Sequence, residues 1–169
     1  GERVYDGNAS NVTARVANLV AGDECTVTVT GGDAINAGDH AATATGLEGS
    51  RKNNYILPAS GLTQDYTITK ATYDMTGVKW DDITVFTYDG TEKAVALTGL
   101  PVGVKIEEYT NNEKTDAGSY EASASFTYDE ANYNPPAVLP LPWVINPREV
   151  VLDWQGHGER VYDGNPSNV

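Results

Sequence analysis

Internal repetition is the feature that most constrains what this chain can fold into. The chain opens on GERVYDGNASNV (1–12) and ends on GERVYDGNPSNV (158–169), which differ only by Ala9 against Pro166. The triplet YDG occurs once more, at 88–90. A chain that repeats in this way consists of consecutive copies of one structural unit, so we expect each copy to adopt the same fold.

Other landmarks recur in the same order between the YDG triplets. INAGDHAATATG (35–46) matches TDAGSYEASASF (115–126), and KNNYIL (52–57) matches EANYNP (130–135). A tryptophan stands eight residues before the tyrosine of the second and third triplets. The residues that make up this repeated structural motif are Tyr5, Asp6, Gly7, Trp80, Tyr88, Asp89, Gly90, Trp154, Tyr162, Asp163 and Gly164.

The order of these landmarks predicts three segments. Residues 1–71 form a YDG unit that lacks its first, Trp-bearing strand, and residues 72–147 form a complete unit. Residues 148–169 supply the first strand and turn of a following unit. We therefore expect the chain to represent part of a longer tandem array, cut out of step with its units.

Alternating apolar and polar residues predict strands through most of the chain. Apolar side chains recur at every second position in 120–126 and 139–145, which is typical of half-buried strands. Asp-Gly between two such runs predicts a β-hairpin. The segment SNVTARVANLVAGD (10–23) has helical spacing, but its second copy contains a proline and two glycines, so we favour strand there too.

The number and shortness of the predicted strands indicate an all-β fold of tandem, small immunoglobulin-like β-sandwich modules. Modules of the β-grasp type are the alternative. Tyr120 stands near the start of a late predicted strand. Immunoglobulin-like domains have a tyrosine at such a place, the tyrosine corner, whose hydroxyl bonds to the backbone a few residues upstream. His40 occupies the same position in the first copy.

The net charge of −13 limits the partners of the chain. Without a cationic surface, the chain is not expected to bind nucleic acid or anionic lipid. Cys25 is the single cysteine, so no disulfide can form within the chain, and its alternating context predicts a buried thiol. No apolar run is long enough to cross a membrane, so we expect no membrane insertion by this fragment.

The sequence offers few candidates for catalytic, metal-binding or cross-linking residues. No catalytic, phosphate-binding or metal-binding motif appears, so we expect neither enzyme activity nor a cofactor or metal. Lys79 and Asn146 flank the second unit and are candidates for a Lys–Asn isopeptide cross-link between its first and last strands. Exposed tyrosines can also stack on sugars or bind proteins. The simpler interpretation is that they anchor loops.

The first unit, with RVYDGNASNVTARV and NAGDHAATATG, resembles the YDG-type repeats of bacterial surface proteins. The second, with FTYDGTEKAVALTG and TDAGSYEASASF, is similar to the related MBG-type repeats. The resemblance implies an extracellular segment of a longer, exported adhesin, at the bacterial cell surface or cell wall. It implies a structural stalk or spacer in cell adhesion, with neighbouring repeats as partners. Binding of a host glycan or protein is the alternative.

The missing first strand of the first unit leads to one more expectation. Residues 148–160 carry a strand of the missing type. We expect this stretch to complete the first unit of a neighbouring molecule by head-to-tail strand exchange, in the manner of donor-strand addition.

Overall fold

The structure, a computed structural model, describes residues 1–155 together with residues 162 and 164. Apart from one turn of 3₁₀ helix, η1 (Lys52–Asn54), its regular elements are strands, so the predicted all-β class is confirmed. None of the described residues belongs to a helix long and apolar enough to span a membrane. The strands are β1 (Glu2–Val4), β2 (Thr26–Thr30), β3 (Gly38–Glu48), β4 (Thr63–Thr69), β5 (Lys79–Trp80), β6 (Val85–Thr87), β7 (Lys93–Ala94), β8 (Leu97–Thr98), β9 (Lys105–Thr110), β10 (Glu113–Lys114), β11 (Gly118–Thr127) and β12 (Leu141–Asn146).

The first half (residues 1–71) and the second half (residues 72–147) each contain one four-stranded sheet. Their strand orders are β1-β4-β3-β2 and β6-β12-β11-β9. In both sheets the first strand runs parallel to the last, and the other pairs are antiparallel. The two sheets therefore have the same topology when their strands are read in chain order.

The register of the strands also agrees between the two sheets. Ile68 lies opposite Gly38, and Ile145 lies opposite Gly118. Each isoleucine also pairs in parallel with the middle residue of the short first strand of its sheet. Ile68 is 1% exposed and Ile145 0%, so the same position of each sheet lies deepest in its core.

The prediction of a hairpin at the YDG triplet is wrong. In the second half, β6 enters the turn and pairs with β12, whereas β7 leaves the turn and pairs with β10. The turn thus carries the chain from the four-stranded sheet into a separate two-stranded sheet. The Asp-Gly signal is local and identifies the turn, but strand pairing depends on partners far away in sequence.

The strand predicted for 10–23 is also absent. These residues of the first half form neither strand nor helix, although their counterparts in the second half form β7 and β8. In the second half, β8 pairs with β5. The N–H groups of Ser10 and Val12 bond to the carbonyl oxygens of Ala34 and Gly32 at 2.9 and 2.7 Å, but among the described residues no strand lies beside the rest of the segment, so no ladder forms there.

Each half has its own hydrophobic core. In the second half the core consists of Val95, Ala122, Trp143 and Ile145. In the first half it consists of Ala42, Tyr66 and Ile68. Because Val95 lies between β7 and β8, the segment after the YDG turn covers one face of the four-stranded sheet. Cys25 is buried, as predicted.

The described part of the tail, residues 148–155, belongs to no strand. Its side chains are exposed, and Trp154 is 87% exposed. The tail therefore does not complete the first half of its own chain. The expectation of strand exchange concerns a second molecule, and residues 156–160 of that stretch lie outside the described residues.

Candidate functional site at the junction of the two halves

The YDG triplet forms the same turn in both halves. The Oδ1 atom of Asp6 accepts a hydrogen bond from the backbone N–H of Asn8 at 2.9 Å, and Asp89 accepts one from Thr91 at 2.9 Å. The following glycines have φ of 79° at Gly7 and 81° at Gly90, a conformation that other residues rarely adopt. The triplet is therefore an Asx turn that needs both its carboxylate and its glycine.

A cation stabilises each turn. Nη1 of Arg3 lies 2.7 Å from Oδ1 of Asp6, and Nζ of Lys93 lies 2.6 Å from Oδ2 of Asp89. The Lys93 ammonium and the Thr91 hydroxyl and N–H hold the pKa of Asp89 well below its usual range. The Asn8 N–H, followed by Arg3, lowers the pKa of Asp6. Both carboxylates thus act as anions in structural turns.

Tyr120 and His40 make equivalent hydrogen bonds. The Tyr120 hydroxyl donates to the Asp116 carbonyl oxygen at 2.8 Å. Nε2 of His40 lies 2.9 Å from the carbonyl oxygen of Asn36, also four residues upstream. Each ring thus fixes the turn that precedes the long strand of its sheet.

The other residues of the repeated motif lie apart from one another. Trp80 belongs to β5 and packs against the second core, whereas Trp154 is exposed. Tyr162 is exposed, and Gly164 has φ of 82°, as in the other two triplets. Asp163 lies outside the described residues.

Lys79 and Asn146 lie on different sheets. Lys79 is in β5, and its Nζ lies 3.4 Å from Oδ2 of Asp82. Asn146 ends β12 and is paired with Thr87 of β6. The isopeptide between Lys79 and Asn146 stays a prediction from the sequence, since no hydrogen bond in the described part of the chain joins these two side chains.

The most highly organised group of polar residues joins the two halves. Asn132 of the second half is the single polar residue that is buried among the described residues, with 6% exposure. Its Oδ1 accepts the backbone N–H of Ala37 at 2.9 Å, and its Nδ2 donates to Oδ1 of Asn36 at 3.4 Å and to Oδ2 of Asp129 at 2.9 Å. One side chain thus connects the two halves.

Backbone hydrogen bonds strengthen the same contact. The Ala71 N–H donates to the carbonyl oxygen of Asn132 at 2.9 Å, and Ala71 O accepts the N–H of Asn134 at 2.8 Å. Ala71 and Tyr133 therefore form a parallel β-bridge. Nζ of Lys70 donates to the Glu130 carbonyl oxygen at 2.6 Å. The chain that leaves the first half is paired with the loop 129–134 of the second.

Aromatic rings complete the junction. Tyr133 stacks on Tyr73 with ring centroids 4.0 Å apart and meets Tyr5 edge-on at 5.5 Å. Tyr73 also contacts Tyr128 edge-on at 6.4 Å. Because these rings are turned toward one another, the structure favours the loop-anchoring interpretation of the tyrosines at this junction. The first YDG tyrosine is thus part of the contact.

The Asn-Tyr pair of the first half has different surroundings. Asn54 is exposed at the end of η1. The Tyr55 hydroxyl donates to Oδ2 of Asp23 at 2.8 Å and accepts the N–H of Val20 at 3.0 Å. Tyr55 therefore anchors a loop within its own half. The sequence repeats Asn-Tyr but does not reveal that only Asn132 becomes buried between halves.

The far end of the second half carries the counterparts of the residues that receive Asn132 and Tyr133. Tyr88 corresponds to Tyr5, because each directly follows the short first strand and donates its N–H to the last residue of the last strand, and Ala117 corresponds to Ala37, because each directly precedes the long strand. Here Tyr88 and Ala117, with residues 147–151, line an open groove of about 630 Å³. This groove is the equivalent of the face that receives loop 129–134 in the first half, and none of the described residues enters it as that loop does.

The arrangement offers contacts rather than reactive groups. Within the part of the chain that the structure describes, no three His, Cys, Asp or Glu side chains are grouped to hold a metal ion. The carboxylate of Asp129 caps its own loop by accepting the N–H of Ala131 at 3.2 Å. No protein-family model, curated protein or solved structure was found that matches the chain.

Proposed function

We propose that this chain is a non-catalytic, structural repeat segment that forms part of the stalk or spacer of a bacterial cell-surface adhesin. Each half is a small sandwich-like module of the immunoglobulin-like kind. Its role is to hold neighbouring modules at a fixed spacing and angle outside the cell. The observation that carries the proposal is the junction in which Asn132 is buried between the halves.

The nature of the junction supports a stiff spacer. A flexible linker would leave its backbone groups to water, whereas Ala71 uses both its N–H and its carbonyl on the second half. The ring of Tyr5 in the first half meets that of Tyr133 in the second edge-on at 5.5 Å and adds apolar contact at the same place. A joint held by a paired backbone, a buried side chain and this ring contact restricts the relative rotation of the modules.

The agreement between the two halves supports a tandem array. Strand order, parallel and antiparallel pairing, and register coincide between the two four-stranded sheets. The groove beside Tyr88 and Ala117 repeats the face that receives loop 129–134 in the first half. A further module could dock there through its own Asn-Tyr loop. In an array of this kind, stability is approximately a sum over modules and their interfaces.

The test asks whether the two halves tumble in solution as one rigid body, and whether the Asn132 side chain is what connects them rigidly. Residual dipolar couplings of the two four-stranded sheets should fit a single alignment tensor in the full chain. In Asn132→Ala, Ala37 N–H loses its acceptor and the halves should require two tensors. The substitution should also lower the free energy of unfolding by about 1–3 kcal/mol, the cost of leaving a buried partner unsatisfied.

Asn54→Ala is the matched control, since it removes the same side chain from the exposed Asn-Tyr pair. It should leave the single tensor intact. Separate tensors in the unmodified chain would contradict the stiff spacer. Saturable binding of a glycan or protein that is lost in Tyr88→Ala would instead favour a recognition module.

A further inference from the structure

At one edge of each four-stranded sheet lies a strand that, among the described residues, pairs on one side only. In the first half this strand is β2, which pairs with β3, and in the second half it is β9, which pairs with β11. The second half contains its Trp-bearing strand β5, yet β5 pairs with β8 and leaves the outer side of β9 open. The open edge is therefore a property of the complete unit.

In the second half, this edge carries features that hinder the addition of another strand. β9 contains Lys105, Glu107 and Glu108, and all three are exposed. It also contains a β-bulge, in which Glu107 has no partner in β11. Charged side chains and bulges are common means by which β-proteins prevent their edge strands from pairing with other chains.

The corresponding edge of the first half has neither feature. β2 reads TVTVT and contains no charged residue. The bulge of this sheet lies in β3, where Thr45 has no partner in β2, so β2 itself is regular. Its threonines are exposed on one face, and its valines are half-buried on the other. A regular, uncharged edge of β-branched residues is suited to pairing with another strand.

The backbone of β2 also has hydrogen-bonding groups to offer. Ala44 lies opposite Val29 and donates its N–H at 2.8 Å to the carbonyl oxygen of Leu62, on the β4 side of β3. Ala44 and Val29 therefore form a non-hydrogen-bonded pair, in which Val29 turns its N–H and carbonyl away from β3. By alternation Val27 does the same. Within the described residues, no backbone hydrogen bond from outside β3 reaches these groups.

We propose that β2 is a self-association surface, to which β2 of a second copy of this chain adds as an antiparallel strand centred on Thr28. Thr28 then faces Thr28 of the second copy, and Val27 faces Val29 of that copy. The two valines exchange backbone hydrogen bonds across the contact, because their N–H and carbonyl groups point outward. The four-stranded sheets of the two copies join into one.

The sequence of β2 identifies a second copy as the occupant of this edge. TVTVT reads the same in both directions, so antiparallel pairing about Thr28 brings threonine opposite threonine and valine opposite valine throughout the strand. Opposite threonines hydrogen-bond through their hydroxyls, and β-branched side chains pack well as cross-strand pairs. The register centred on Thr28 is also the one in which the whole strand is paired.

The charge of the chain predicts how the contact responds to salt. Each copy carries a net charge of −13, so repulsion between the copies opposes association although β2 itself is uncharged. Antiparallel pairing also brings the end of β2 next to Glu24 near the end next to Asp33 of the second copy. Association should therefore strengthen as the salt concentration rises from about 0.01 M to about 0.15 M, because the Debye length falls from about 30 Å to about 8 Å.

The contact is isologous, because it is formed by the same strand of each copy about a two-fold axis at Thr28. An interface of this kind closes on itself, so the mass of the particles should stop at that of a dimer. The inference concerns an outer edge of the first half and does not rest on the stiffness of the junction. It can therefore fail while the proposed function stands, and the reverse also holds.

The first measurement is sedimentation equilibrium of the full 169-residue chain from about 1 µM to about 1 mM, the range of weak association. We expect a monomer–dimer equilibrium that strengthens with salt. Amide hydrogen exchange over the same concentrations identifies the surface. The N–H groups of Val27 and Val29 should gain protection as the concentration rises, whereas the amides of β9 should not change.

Substitutions at the axis test the register. Thr28→Lys should weaken dimerisation at least about tenfold, because it places two ammonium groups opposite each other. Thr28→Glu should have the same effect through its two carboxylates. An equimolar mixture of the two variants should dimerise again, because lysine then faces glutamate. Rescue of this kind requires that position 28 face itself.

Thr110→Lys is the matched control. Thr110 ends β9 as Thr30 ends β2, and it too is exposed. The substitution changes the net charge as much as Thr28→Lys does and should not weaken dimerisation. A chain that stays monomeric up to about 1 mM in about 0.15 M salt would overturn the proposal. So would particles that grow beyond a dimer, or dimerisation that is insensitive to Thr28→Lys.

Discussion

At the residue scale, the aspartates of the YDG turns show how short polar side chains determine the path of the backbone. Asp89 accepts the N–H and the hydroxyl of Thr91, and Lys93 neutralises its second oxygen. Asp6 accepts both the Asn8 N–H and the Arg3 guanidinium on Oδ1. The partners differ between the halves, yet the turn is the same, because its geometry depends on the carboxylate and the glycine.

This arrangement predicts a pH dependence of stability. The pKa of Asp89 is lower in the folded than in the unfolded chain, so its stabilising contribution is complete above the unfolded pKa of about 3.9 and is lost as the pH falls toward the folded pKa. The melting temperature should therefore decrease from about pH 5 to about pH 2.

Asp89→Asn isolates the contribution of this carboxylate. The variant should be less stable than the unmodified chain near neutral pH, and the difference should shrink through the acid range. Thermal melts followed by circular dichroism at several pH values measure this. A difference that stays constant down to the lowest pH would contradict the assigned role.

At the scale of the elements, the last strand of each half is the organising one. β4 and β12 lie between a parallel first strand and the antiparallel long strand. Pro142 in β12 lies opposite Glu121, whereas pairing with β6 begins only at Val144. The strand is thus paired on one side only at its proline end, because proline offers no N–H to a second neighbour.

The Trp-bearing strand should be important for the stability of the second half. In Trp80→Ala the Leu139 carbonyl oxygen loses its donor and the core loses a half-buried indole. We expect the free energy of unfolding to fall by about 2 kcal/mol, less than for a fully buried tryptophan. Trp154→Ala at high dilution should change it by less than about 0.5 kcal/mol. Urea denaturation measures both, and equal effects would contradict the assignment.

At the scale of the whole molecule, the chain has two cores and one joint. The buried clusters around Ile68 and Ile145 share no residue, and the contact between the halves is made by Asn132, Ala71 and the edge-on pair of Tyr5 and Tyr133. The stability of each half therefore comes from apolar burial, whereas the orientation between the halves comes from hydrogen bonds and this ring contact.

Separate cores predict separable unfolding. Ile68→Ala should cost about 2–5 kcal/mol and unfold the first half at lower temperature, while the second half persists. Trp80 and Trp143 both pack in the second core, so tryptophan fluorescence should report only the later transition. Ile145→Ala should instead shift the fluorescence transition. Loss of the tryptophan signal at the first transition of Ile68→Ala would show that the halves unfold as one.

Most strands could be predicted from the sequence, but their partners could not. Alternation identified the segments around Trp143 and Tyr120, because side chains on a strand point to opposite faces in turn. The pairing of β6 with β12 joins residues such as Phe86 and Ile145, far apart in sequence, and no local pattern encodes it. For that reason the hairpin prediction at Asp89-Gly90 is wrong although the turn itself is present.

The sequence by itself determined the turns and the repeated order of the landmarks, since Asp-Gly and the ring four residues after Asp116 act through hydrogen bonds within a few residues. Only the tertiary structure decided that Asn132 is buried while Asn54 stays exposed. Burial depends on what lies opposite a side chain in space. Asn132 faces Asn36 and Ala37 of the other half, and that neighbour is fixed by the packing of two modules rather than by the residues on either side of Asn132.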